Sequence, residues 1–145
     1  MKNKYYLFGS IFIFLISLIL PVYLNSTHIA DYYFNDNSIE NLGVFYLVIG
    51  YITIAELPVE FFCWLSNFTL LFAWIFHKKK SGVVLVWISF VLMFAYAINY
   101  LFRLDIILVV EYDEFLFGYW FWLASPILML CYHYLPEKGM KEKNI

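Results

Sequence analysis

Two glutamates, Glu56 and Glu60, stand four residues apart with Pro58 between them and apolar sequence on either side. Carboxylates at i and i+4 share one face of a helix. Inside a membrane such a pair would hold a proton or cation on a transport path, with Asn67 as a neutral ligand further along. Ionised groups in hydrocarbon are costly, however, and carboxylates at a helix start stay hydrated and favour the positive end of its dipole. The favoured reading is that the pair marks a boundary at the water line.

Asn67, Ser89 and Ser125 fall near the middle of apolar runs. Polar side chains at that depth hydrogen-bond a neighbouring helix and fix packing, for about 0.6–2 kcal/mol each. Pro126 removes the amide donor for the Trp122 carbonyl, and Ser125 or a neighbour is expected to supply one. A further acidic set comprises Asp31, Asp36, Glu40, Asp105, Glu111, Asp113 and Glu114, with Arg103 as its one basic companion. Such a face could attract a cationic partner or divalent ions, with Asp113 and Glu114 as candidates, although it lacks the spacing of a calcium loop. The favoured reading is that basic residues are excluded from this side and the carboxylates keep the loops soluble.

His28, His77 and His133 stand apart from any second ligand at metal-binding spacing, and Cys63 and Cys131 form no C-x-x-C. Neither a phosphate loop, a nucleophile elbow nor a dinucleotide fingerprint is present. The expectation is therefore no catalytic residue, no metal and no cofactor. A net charge of −2 leaves no basic footprint for nucleic acid.

The elements that must carry these residues follow from composition. Of 145 residues, 64% are hydrophobic and 14% charged, far from the balance of a water-soluble domain. No charge occurs over 5–30, 81–102 or 115–136, and each gap meets the roughly 18–20 residues that cross a hydrocarbon layer. The predicted fold is all-α and polytopic, with four transmembrane helices over about 5–24, 59–76, 82–102 and 115–135. The apolar run 42–55 is too short to cross and is expected to lie in the interface or re-enter. An alternative joins 42–76 into one long helix kinked at Pro58, although proline disfavours helical geometry at Leu57. The absence of a small-residue cleavage site argues that 5–24 is a retained helix rather than a signal peptide.

Within these segments, Gly50, the W-L-x-N set (Trp64, Leu65, Asn67) and the G-Y-x-x-W-x-x-S set (Gly118, Tyr119, Trp122, Ser125) form a pattern. It resembles a loose class of small four-helix bacterial inner-membrane proteins. In that class a small residue and a proline often flank the asparagine, where Ser66 and Phe68 stand here. The resemblance implies a short interfacial or re-entrant piece before the second span and brings no catalytic residues with it.

Four spans place Lys2, Lys4, Lys78, Lys79, Lys80, Lys138, Lys141 and Lys143 on one side and Arg103 on the other. Basic residues are retained in the cytoplasm, so both termini and the 77–81 loop are expected there. Tyr23, Trp64 and Trp120 would then sit at the outer interface, and Trp74 and Trp87 at the inner one. Cys63 and Cys131 would lie near opposite surfaces, too far apart for a disulfide. The functional expectation is a non-enzymatic binding protein in the bilayer, such as an immunity protein or complex subunit, meeting a protein partner at its acidic outer face. A homo-oligomer is compatible with this. The alternative is a small proton- or cation-coupled transporter or channel subunit using Glu56 and Glu60.

Overall fold

The computed structural model describes residues 4–25, 42–51, 58–101 and 112–135, with the backbone alone at 23–25, 49, 58–60, 99–101 and 112–115. The chain is all-α in class. Its elements are α1 (Lys4–Ile19), β1 (Tyr23–Asn25), α2 (Gly43–Ile49), α3 (Pro58–Ile75), α4 (Lys80–Leu101), β2 (Tyr112–Phe115) and α5 (Phe117–Tyr134). Among the described residues, Lys80–Ile98 is long and apolar enough to cross a membrane by length and composition. Lys4–Ile19 and Phe61–Ile75 are apolar but shorter.

Local chemistry sets the element ends. Helix α1 stops at Ile19, two residues before Pro21, which has no amide to donate and disfavours helical geometry at Leu20. The freed carbonyls find partners in other elements. Leu20 O accepts Gly43 N–H (3.1 Å), Pro21 O accepts Gly118 N–H (3.0 Å) and Val22 O accepts Leu116 N–H (2.9 Å). The end of α1 is thus fastened to the starts of α2 and α5. Beyond it, β1 pairs antiparallel with β2, Tyr23 opposite Phe115. Helix α3 opens on Pro58, whose fixed φ suits a first helical position. At its other end the His77 ring reaches back to the Trp74 carbonyl at 2.7 Å, and because a carbonyl only accepts, Nδ1 carries the proton.

Two buried clusters stack along the bundle. One gathers Phe14, Cys63, Leu70, Met93, Tyr119 and Leu123. The other gathers Leu7, Ala73, Val86, Met129 and Tyr132. The second cluster draws on the early turns of α1 and α4 and the late turns of α3 and α5, so these four helices alternate in direction. The start of α1, the 76–79 turn and the end of α5 share one end of the bundle. The ribbon and α2 occupy the other.

Apolar side chains occupy both the buried and the exposed faces of the helices, and the buried polar side chains among the described residues are serines. On α1, Ser10 and Ser17 are buried beside Leu7 and Phe14, while Phe8, Phe12, Leu15 and Ile19 face outward. The same holds elsewhere: Ser66, Ser89 and Ser125 are fully buried at 0% exposure, whereas Phe72, Val91, Phe94 and Trp120 are exposed. Among the described residues, 23 large hydrophobic side chains are exposed.

Candidate functional site

A partly open cavity of about 90 Å³ lies where all five helices meet at the ribbon end. Its position follows from α2. A continuous helix would hold residues 47 and 64 about 25 Å apart, at 1.5 Å per residue. Instead Trp64 Nε1 donates to the Leu47 carbonyl at 2.8 Å, so the chain folds back and lays α2 against α3. Two glycines permit this approach. A Cβ on Gly43 would lie 2.3 Å from the Ser17 carbonyl oxygen, and one on Gly50 would lie 2.2 Å from the Trp64 ring.

A hydrogen-bonded relay builds the floor. Trp122 Nε1 of α5 donates to Asn67 Oδ1 at 2.7 Å, and Asn67 Nδ2 donates to the Trp64 carbonyl at 2.9 Å. An indole N–H only donates, so the orientation of the Asn67 amide is fixed by its partners. Trp64 then passes the connection to Leu47, and α5, α3 and α2 are tied together. Tyr46, Tyr96 and Cys63 complete the wall, with Ser17 and Leu18 from α1. Every described lining residue is uncharged. The arrangement presents ring faces and a few neutral polar atoms, which suits an uncharged, largely apolar group rather than an ion.

Further polar contacts lock the helices around this site. Ser10 Oγ donates to the Ser125 carbonyl at 2.8 Å, and Ser125 Oγ donates to the Ser10 carbonyl at 2.9 Å. Trp74 Nε1 donates to Ser10 Oγ at 3.0 Å, adding α3 to the same clamp. Ser89 Oγ donates to the Ser66 carbonyl at 2.9 Å, joining α4 to α3, and the Ser66 hydroxyl turns to the Cys63 carbonyl. The Tyr119 hydroxyl donates to the Met93 carbonyl at 2.7 Å, joining α5 to α4.

Of the residues singled out from sequence, Asn67 lines the cavity, and Ser89 and Ser125 bridge helices. Ser125 bonds a neighbouring helix, its hydroxyl crossing to the Ser10 carbonyl of α1. Trp64 and Trp74, expected near opposite interfaces, are half-buried, and each donates its indole N–H to another helix, Trp64 to the Leu47 carbonyl of α2 and Trp74 to Ser10 Oγ of α1. Glu56 lies outside the described residues. Glu60 falls in the first turn of α3, and Asp113 and Glu114 in β2, each with only its backbone described. His77 and His133 both pack on Tyr132, with ring centroids 5.8 and 5.1 Å apart, at the end remote from the cavity. Among the described residues no three His, Cys, Asp or Glu side chains gather as a metal site, and both cysteines are free thiols.

Sequence reasoning missed Ser10, Ser17, Tyr46 and Tyr96. Ser10 and Ser17, seven residues apart and thus on one face of α1, were a usable signal for the first two. By contrast, Gly50, Gly118 and Trp122, noted only as parts of a pattern, converge on the cavity with Trp64 and Asn67 of the same pattern. No protein-family model matches the chain, and no curated protein sequence or solved structure does.

Proposed function

We propose that this chain is a four-span integral protein of the bacterial inner membrane, with both termini cytoplasmic, that acts by binding and not by catalysis. The observation that carries this reading is the apolar exterior of the helices. Phenylalanines and aliphatic side chains are exposed along them, while the buried serines, Asn67 and the Tyr119 hydroxyl each bond a group of the bundle, mostly a backbone carbonyl. That arrangement suits acyl chains as the surrounding medium, where each buried polar atom must find an internal partner. Alternating helix directions support the proposed sidedness. Lys78, Lys79 and Lys80 are exposed at the end shared with Lys4. The ribbon bearing Asp113 and Glu114 stands at the opposite end.

The binding role rests on this division of labour. The bundle interior is occupied by packing, and among the described residues a cavity lies at the end that holds β2, whose sequence supplies Asp113 and Glu114 as an acidic rim in the proposed orientation. A protein partner at the outer face, such as a membrane-acting toxin or a larger complex, fits the negative charge of that rim. Membranes washed with alkaline carbonate test the first part, and the protein stays in the pellet; release into the supernatant would refute membrane insertion. Asp113→Asn/Glu114→Gln tests the second. A partner retained by the parent protein elutes at lower salt from the variant, and unchanged retention removes the acidic face from the account.

A further inference from the structure

The cavity beneath α2 belongs to no step of the packing scheme described above, yet its floor is built from oriented side chains. We infer that it is a binding site for a single uncharged hydrocarbon chain, the tail of a membrane lipid, lodged between α2, α3 and α5. This rests on the proposed membrane location and names the ligand class of that site.

Three features favour such a tail. Among the described residues the lining carries no charge and is mainly ring and aliphatic surface, which an apolar chain covers without giving up hydration. The Asn67 amide already serves Trp122 and the Trp64 carbonyl, and Trp64 serves Leu47, which leaves ring faces as the main surface on offer. The surface that borders the cavity continues the same chemistry: Val44, Val48 and Tyr51 of the α2 segment and Phe62 and Phe68 of α3 are exposed. A chain therefore passes from one apolar environment to another without crossing water. About 90 Å³ exceeds the space of one water several-fold, and apolar cavities of this order take up small hydrocarbons.

Photolabelling decides the matter. The full-length protein is reconstituted in phosphatidylcholine vesicles with hexadecanol bearing a terminal diazirine, irradiated, and its adducts mapped by peptide mass spectrometry. Adducts are expected at two places, the cavity residues Tyr46, Cys63 and Trp64 and the outward side chains Phe12, Val91 and Phe94. At a hexadecanol-diazirine level that saturates the cavity labelling against the phosphatidylcholine tails, ten equivalents of plain hexadecanol lower the cavity adducts about tenfold, as mass action requires at one saturable site. The outward adducts, which come from bulk lipid, barely change. Outward adducts alone, or cavity adducts that the competitor leaves in place, would overturn the inference while leaving the membrane reading intact. Failure to label Phe12, Val91 and Phe94 would overturn the membrane reading and the inference with it.

Discussion

At the scale of single residues, the molecule is organised by hydrogen bonds between neutral groups on different helices. Trp122 and Asn67 make the most telling pair, because the indole fixes the amide and the amide fixes Trp64. Trp122→Phe should lower stability by about 0.6–2 kcal/mol, the range for hydrogen bonds between membrane helices. Asn67→Leu should cost a similar amount, and the double variant less than the sum of the two. A double-mutant cycle on unfolding in mixed micelles reads that coupling, and strict additivity would show that the contact carries no energy. The serine clamp makes a second case. Ser10→Ala removes the acceptor of the Trp74 N–H and the donor to the Ser125 carbonyl together, so it should destabilise more than Ser89→Ala, which ends one interhelical bond. The same unfolding measurement ranks them. Only part of this level was legible in advance. Asn67, Ser89 and Ser125 stood out as polar residues in apolar runs, but their partners lie on other helices and no spacing rule names them.

At the scale of elements, α2 is the piece whose placement makes the site. It is seven residues long, and isolated helices of that length are marginal, so tertiary contacts must hold it. Those contacts are the Trp64–Leu47 hydrogen bond and the close approaches at Gly43 and Gly50. Gly50→Val would drive a methyl group into the Trp64 ring, an overpacking expected to cost about 1–3 kcal/mol. Its tryptophan emission should shift to the red as Trp64 loses its buried position, whereas an unchanged spectrum would show that α2 does not rest on this ring. The run 42–55 was recognisable as too short to cross, and Pro58 marked the start of α3. The ribbon was not recognisable. Tyr23 and Phe115 meet across some ninety residues of sequence, and Asp113 and Glu114 belong to residue types depleted in strands.

At the scale of the whole molecule, composition and the charge map pointed to a helical bundle in lipid, and the exposed faces give that reading a physical basis. The helix order was legible because charge-free gaps need no knowledge of contacts. The cavity was not, because its walls come from all five helices and its residue types, Trp, Tyr and Gly, recur throughout the chain. Transport through Glu56 and Glu60 is separable by experiment: under the binding proposal, proteoliposomes holding the wild-type protein show no proton flux above empty vesicles, whereas a flux lost in Glu56→Gln/Glu60→Gln would establish transport.

The central claim is that alternating helices cross a bilayer with the lysine turn inside and the ribbon outside. Single cysteines placed by Lys79→Cys or Asp113→Cys in a Cys63→Ser/Cys131→Ser background test it with a membrane-impermeant maleimide on intact bacterial cells. The account predicts that Asp113→Cys is labelled at once and Lys79→Cys only after permeabilisation. Labelling of both positions in intact cells, or of Lys79→Cys alone, would contradict it.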